Sequence, residues 1–392
     1  MSRTSTLVLG AGMVGSAMVE DLVRDERLSV TVADRSPAAL AAVAARCGAA
    51  TVVADLSDPA VVGALAAKHD LVAGALSSRI ALAALRAVIE AGRPCVDISF
   101  MADDALELDA LARRHGVPVV VDCGVAPGLS HMLCGHAAAR MEPCERLQIL
   151  VGGLPVVRRW PYEYKAGFAP HDVIEEYARP ARLVEGGRLV VREALSEPEL
   201  VDLPGVGTLE AFNTDGLRSL VSTLSVPEMS EKTLRYPGHI ALMATLRATG
   251  LLSATPLSVP AADGRGQVTV RPLDVTAALL FPLWTYAPGE ADLTVMRVSA
   301  EGRLDGRRQR LVWDLLDHHD AASDTRSMSR TTAWPATIVA RWLAEGRFAR
   351  PGVHAPEVLG AEPELMDAML AGLRERGVTI EARCEPLPDD RP

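Results

Sequence analysis

Thr6-Leu-Val-Leu-Gly-Ala-Gly-Met-Val-Gly15, "TLVLGAGMVG", is a short apolar strand running into three glycines spaced G-x-G-x-x-G, and Ser16 to Arg24 continue with the periodicity of an amphipathic helix. In that setting each glycine has its own use. Gly10 makes the tight turn, Gly12 lets main chain approach a pyrophosphate, and Gly15 lets the helix pack closely on the strand. The helix N-terminus then faces the anion with free N–H groups and partial positive charge. The next element strengthens the motif. Leu28 to Asp34 reads as a second buried strand ending in an acid nineteen residues after Gly15, where a carboxylate meets the adenosine ribose. Asp34 is expected to accept from the two ribose hydroxyls and to repel a 2′-phosphate, favouring NAD over NADP, with Arg35 beside it able to pair such a phosphate.

Beyond this unit, Ala50 to Asp55, Asp70 to Leu76, Cys95 to Ser99 and Val117 to Asp122 read as further strands with helices between them, a doubly wound parallel sheet of the α/β class. Ligands of such sheets lie beyond the carboxyl ends of the strands. The cofactor candidates are therefore Gly10, Gly12, Met13, Val14, Gly15, Asp34 and Arg35, with Asp55 and Leu56 bordering the adenine and Leu76 and Ser77 on the path to the nicotinamide. Cys123 falls beside the nicotinamide as a small buried residue rather than a nucleophile. For Asp55 a second reading stays open, a helix cap through Asp55-Leu-Ser-Asp-Pro.

At 392 residues the chain exceeds a single core. Its formal charge of −10, with no long basic run, argues against nucleic acid. Its apolar stretches are too short to cross a bilayer, and the N-terminus runs straight into a strand rather than a signal peptide, so a cytoplasmic protein is expected. The six cysteines form no C-x-x-C pair, which fits a reducing compartment and no structural zinc. Asp317-His-His-Asp320 reads as a solvated turn rather than a metal cluster, and no metal is expected.

After Gly124-Val-Ala-Pro-Gly128 the rhythm changes. Leu147 to Gly153, Arg188 to Arg192, Gln267 to Pro272 and Leu293 to Ala300 read as strands without regular crossovers, an α+β region with a mainly antiparallel or mixed sheet. Arg330 to Leu343 reads as an apolar helix capped by Thr331 or Thr332 that returns to the first domain. Between them lies Lys232-Thr-Leu-Arg-Tyr-Pro-Gly-His239, "KTLRYPGH", which taken alone is an ordinary solvated loop.

Together "VLGAGMVG", "DCGVAPGLSHML", "VGGLP", "PYEYKAGF", "LEAFNTDG", "KTLRYPGH" and "RTTAWPATIVARWL", in this order, resemble the saccharopine dehydrogenase superfamily, and within it the lysine 6-dehydrogenase branch. The resemblance implies a Rossmann domain over residues 1–125, completed by about 330–360. It also implies a second α+β domain, 126–329 and about 361–392, that binds substrate and makes the interface of a homo-oligomer, a dimer or higher. The activity implied is NAD-linked oxidation of an amine. Saccharopine reductases carry L-D-P-G, C-G-G-L-P and N-R-D-S where this chain has Ala126, Val151 and Thr214. Loss of a cation and two polar groups points to a smaller, less anionic substrate, because each buried carboxylate needs a cationic or multiply hydrogen-bonded partner. The lysine branch places Gly-Gly-His where this chain has Val96-Asp-Ile-Ser-Phe100.

Hydride loss from an amine carbon needs a neutral nitrogen, and a lysine ammonium with a reference pKa near ~10.4 must first lose a proton. Tyr164 and Lys165 are the candidate proton carriers, with Asp97, Glu163 and His171 in reserve. "PYEYKAGF" reads otherwise as an amphipathic loop. Arg235 is expected to clamp the substrate carboxylate, with Thr233 and Asn213 adding hydrogen bonds, Tyr236-Pro-Gly fixing the turn, His239 supporting from behind and Lys232 solvated. The activity so read is NAD-dependent oxidative deamination of L-lysine at its ε-amine to the 6-semialdehyde, which cyclises to piperideine-6-carboxylate. The alternatives are reductive condensation of an amine with an aldehyde or keto acid, and a noncatalytic NAD-sensing protein.

Overall fold

Side chains of Thr4–Leu9 alternate between two cores, Leu7 and Leu9 on one face and Val8 on the other, so the strand is covered on both sides. The computed structural model describes residues 3–101 and 103–388. In it this strand is central in a seven-stranded sheet, in the order Gly352–His354, Pro118–Val120, Cys95–Asp97, Leu71–Gly74, Thr4–Leu9, Leu28–Asp34, Ala50–Val53. Every pairing is parallel. The winding reverses beside Thr4–Leu9, which opens a crevice at its carboxyl end. Four of these strands stop at Val53, Gly74, Asp97 and Val120, earlier than the sequence pattern suggests: the next residues, Ala54, Ala75, Ile98 and Val121, each donate one more N–H to a neighbouring strand, and the chain then leaves the sheet.

The second sheet is mixed. Its main path runs Glu199–Leu203, Gly207–Asn213, Glu228–Arg235, Cys144–Pro155, Asp292–Leu304, Arg307–His318, Ile380–Pro386, with Ala181–Glu185 and Arg188–Arg192 branching off Glu228–Arg235. Its one parallel pairing along that path joins Glu228–Arg235 to Cys144–Pro155, with Thr233 opposite Val151. "KTLRYPGH" is therefore no solvated loop: its first half is the end of an interior strand, and Lys232 is buried, paired with Glu199 at 2.8 Å and donating to the Glu197 carbonyl. Gln267–Val270 belongs to neither large sheet and pairs only with Leu257–Pro260, because Pro272 then starts a helix.

The return helix, Ser327–Ala344, is buried along most of its length. Neither Thr331 nor Thr332 caps it. Its first N–H groups, Ser327 and Met328, donate instead to the Asp292 carboxylate at 2.7 and 3.0 Å, while Thr331 lies a turn inside and bonds back to the Ser327 carbonyl. Asp317 is no part of a solvated turn either: it ends a strand, is buried, accepts from Ser327 and pairs with Arg330. The helix packs on the opening helix Met13–Val23, where buried Asp21 accepts from Thr337 at 2.6 Å, Arg341 at 2.7 Å and Arg376 at 2.8 Å. Burial works to raise the Asp21 pKa, but the two guanidinium groups and their hydrogen bonds bring it below the usual range.

Candidate active site

A cleft of about 720 Å³ runs from the glycine-rich turn across the ends of the parallel strands to the seam between Cys144–Pro155 and Glu228–Arg235. At the first end the walls are main chain. An added Cβ at Gly10 would lie 2.5 Å from the Ala75 carbonyl oxygen, and one at Gly15 would lie 2.1 Å from that of Gly10, so both glycines are fixed by packing. At Gly12 an added Cβ would meet nothing within 4 Å. Gly12 is also the N-cap of the opening helix, with no side chain bonded across its first turn. Free N–H groups over open space beside a bare Cα are what a dinucleotide pyrophosphate requires, so the residues present fit that cofactor.

Asp34 stands at the rim. One of its oxygens accepts from the Ala11 N–H and the other from the Ser36 N–H, both at 2.8 Å, so the acid also holds the glycine turn in shape. Each oxygen retains a lone pair for a ribose hydroxyl. Arg35, Asp55, Leu56, Leu76 and Ser77 line the same end. Asp55 lines the cleft and is not the helix cap; Asp58 fills that role, accepting from the Ala60 N–H. Cys123 does not reach the cleft: it is buried in the core, where desolvation holds its thiol far above the usual range, and Gly124 and Val125 take the wall instead. Asp97 is likewise behind the wall. It accepts from the Ser99 N–H at 2.7 Å, and burial raises its carboxyl to about 6.

At the other end the walls are side chains. Strand pleat places Glu231, Thr233 and Arg235 on one face, and Thr233 and Arg235 enter the cleft there. Arg235, only 2% exposed, donates through Nη2 to Glu176 at 2.6 Å, through Nε to the Tyr177 hydroxyl at 3.2 Å and through Nη1 to the Leu234 carbonyl. Its guanidinium lies 4.4 Å from the centre of the Tyr164 ring. Tyr177 in turn donates to His239 Nε2 at 3.0 Å, since His239 Nδ1 must carry its proton to reach the Tyr162 carbonyl at 2.8 Å. Desolvation, then the nearby Arg235, depress the His239 pKa to about 3, so this ring stays neutral.

Glu176 comes from the helix Pro170–Ala178, which carries Asp172 one turn earlier on the same face. Both line the cleft, and desolvation raises both carboxyls, that of Glu176 despite Arg235 and that of Asp172 despite the Ser78 hydroxyl at 2.7 Å. The sequence reading missed both acids; their only signal was the i,i+4 spacing in "PHDVIEEYA". His171 lies on the rim, and Ala126 and Val151 form apolar wall.

Several candidates fall outside the cleft. Lys165 is held by Glu290 at 2.7 Å and by the Thr285 carbonyl, away from any reacting atom. Tyr164 is buried beneath Arg235, where desolvation keeps its phenol well above the usual range, and it serves as the face on which the guanidinium rests. Glu163 pairs with Arg158. Asn213 is turned toward Ser196 and Glu197, because it lies at the end of the neighbouring strand with its amide donating outward. Tyr236 and His239 act from behind the wall, the former donating to the Pro155 carbonyl at 3.0 Å. Among the described residues no group of three His, Cys, Asp or Glu side chains is placed to hold a metal ion, and no helix is long and apolar enough to cross a membrane.

Residues 6–120 match the family model described as the saccharopine dehydrogenase NADP binding domain, and residues 124–378 match the saccharopine dehydrogenase C-terminal domain. Saccharopine dehydrogenase (NADP(+), L-glutamate-forming) of Schizosaccharomyces pombe is 22% identical over 452 residues, covering 96% of this chain and 98% of that protein. Carboxynorspermidine synthase of Vibrio cholerae is 24% identical over 270 residues, 67% of this chain and 63% of that one. Among solved structures, apo saccharopine dehydrogenase (L-Glu forming) from Saccharomyces cerevisiae superposes with a TM-score of 0.78 at 18% identity, covering 97% of this chain and 99% of that one, a likeness of fold.

Proposed function

The chain belongs to the saccharopine dehydrogenase family of pyridine-nucleotide oxidoreductases, and on that basis we propose that it oxidises L-lysine at the ε-amine to the 6-semialdehyde, with NAD as cofactor. The observation that carries this reading is the Arg235–Glu176 pair at the end of the cleft. An inward cation beside an inward carboxylate fits the zwitterionic head of an amino acid, the substrate carboxylate on the free N–H positions of Arg235 and the α-ammonium on Glu176. Asp172 adds a second acid and Arg79, close enough to lower its carboxyl, a second cation, so the acids and cations here are matched, as a zwitterionic amino acid requires. Ala126 and Val151 leave apolar wall against which a four-carbon side chain packs.

Bound NAD would accept the hydride from the amine carbon. The chain's own residues hold the amino-acid head, exclude water along the apolar wall and take the proton that the ammonium must lose. Asp34 favours NAD because a 2′-phosphate would face its carboxylate. The saccharopine dehydrogenase relative is called an NADP(+) enzyme, and Arg35 lines the same end of the cleft, which makes NADP the second cofactor reading. Asp34→Ser should narrow an NAD preference by roughly 1.5–3 kcal/mol, about tenfold to a hundredfold.

The second reading is reductive condensation of an amine with an aldehyde or keto acid, favoured by the likeness to a saccharopine dehydrogenase and a carboxynorspermidine synthase. The test is an absorbance screen for reduced cofactor at alkaline pH, with lysine, cadaverine and saccharopine, each with NAD and with NADP. Turnover of lysine well above cadaverine is the expected result. Turnover of saccharopine without lysine oxidation would replace the proposal with the condensation reading.

A further inference from the structure

The row Glu231, Thr233, Arg235 on one strand face carries a second feature that substrate binding does not use. Glu231 is only 4% exposed, and among the described residues no cation pairs with it. Its Oε2 accepts from the Thr214 hydroxyl at 2.5 Å and from the Gly216 N–H at 3.2 Å. Thr214 Oγ1 lies 2.8 Å from Thr233 Oγ1, with either able to donate, and Thr233 lines the cleft. Gly216 is bare where an added Cβ would come within 2.4 Å of the Glu231 carboxyl, so the backbone is shaped around this buried acid.

We propose that Thr233 and Thr214 form a hydroxyl relay that carries a proton between the cleft and Glu231, making Glu231 the internal acceptor of the proton lost by the substrate ammonium. The step rests on the amine-oxidising reading above. A proton from the ammonium passes to Thr233 Oγ1 as the Thr233 hydroxyl proton moves to Thr214 Oγ1 and the Thr214 proton moves to Glu231 Oε2. The substrate is left a neutral amine, both threonines are unchanged, and the carboxylate becomes a carboxylic acid that empties by the same path after product leaves. The spacing suits this, because Thr233 and Arg235 lie two residues apart on a strand, roughly 6.5 Å, about the reach of an extended lysine side chain between its head and its amine.

The surroundings set the pH at which Glu231 can accept. Burial first, then the Glu176 and Asp215 carboxylates, raise Glu231 to about 8, while its bonds to Thr214 and Gly216 act the other way. Of the charged groups that face it, Glu176 is paired with Arg235 and Asp215 with Arg182. Glu231 therefore ionises, and can accept, on the alkaline side of neutrality, where the ammonium also gives up its proton more readily.

Infrared difference spectra of the full chain moved from H2O into D2O at neutral pH read the carboxylic-acid C=O band of Glu231, assigned by its loss in Glu231→Gln. Exchange of that proton should slow about tenfold or more in Thr233→Val and in Thr214→Val and return in the serine variants. With lysine, the valine variants should lower kcat by a similar factor and lose the alkaline rise in rate, with KM changing by less than about twofold. Wild-type exchange in either valine variant, or no acid band that Glu231→Gln removes, overturns the relay. Hydroxyl-dependent exchange in a protein that does not oxidise lysine would keep the relay and sink the substrate reading instead.

Discussion

At its nucleotide end the cleft is walled by main chain, with Gly10, Gly12 and Gly15 set by the turn and Asp34 bonded to two backbone N–H groups. At its substrate end it is walled by buried charge, Arg235 held by Glu176, Tyr177 and the Tyr164 ring, with His239 behind them. Main chain is positioned by the fold whatever the solvent does. Buried side chains hold one another, and each is costly without its partner. Damage at the first end should therefore appear as lost cofactor binding in a stable protein, and damage at the second as lost stability together with lost catalysis.

The greatest change is expected from Arg235→Ala. It strands Glu176 and Tyr177 and should cost about 3–5 kcal/mol in denaturant unfolding, with Glu176→Gln in the same chain returning part of it, because the uncompensated carboxylate is then gone. Additive losses in the double variant would show that the two groups are not a coupled unit. The protein's pH response extends the contrast. Glu231 binds a proton up to about 8 when folded, against an ordinary value of 4.5, so between those values the folded state holds a proton that the unfolded chain has released. This contribution is complete below about 4.5 and is lost as pH rises through 8, at up to ~1.4 kcal/mol per pH unit. Glu231→Gln should flatten that slope in urea titrations; an unchanged slope would place the burden on another group.

Gly12→Ala makes the complementary case. The apo protein should unfold as the wild type does, since the new Cβ meets nothing, while NAD affinity measured by calorimetry falls by about 1–3 kcal/mol. A large drop in apo stability would mean that this end, too, depends on side-chain packing. Least of all should come from Lys165→Met, which breaks an ion pair with Glu290 outside the cleft and should leave kcat within about twofold. A loss of tenfold or more would restore Lys165 to the chemistry.

The same contrast governs what could be read from the sequence. The nucleotide end is local: three glycines, a helix and an acid at the next strand's end fall within 25 residues and obey a spacing rule. Arg235 and Glu176 are 59 residues apart, and His239 and Tyr177 are 62, so no spacing announces either pair. The strand that carries Arg235 was hidden for a further reason. Lys232 is polar on one face and Glu231, Thr233 and Arg235 on the other, so the alternation that marks a strand is missing, and Pro237-Gly238 supplies a turn signal in its place. Tyr164 and Lys165 looked catalytic by residue type, but the fold uses one as a platform for a guanidinium and the other in an ion pair.

The return helix has a consequence for synthesis. Met18 and Leu22 of the opening helix share one core with Ala333, Trp334 and Ile338, and Asp21 takes its donors from residues 337, 341 and 376. On the ribosome, the parallel strands up to Val120 emerge some two hundred residues before that helix, a wait of roughly 10–40 s at common elongation rates. For that interval the opening helix and the helix Pro37–Cys47 cover only part of this face of the nucleotide sheet, Leu71–Gly74 and Cys95–Asp97 lack the return helix that packs on them, and the Asp21 carboxylate has none of its three donors. The half of the protein that looks most like a free-standing module is thus the half that must wait for the rest of the chain.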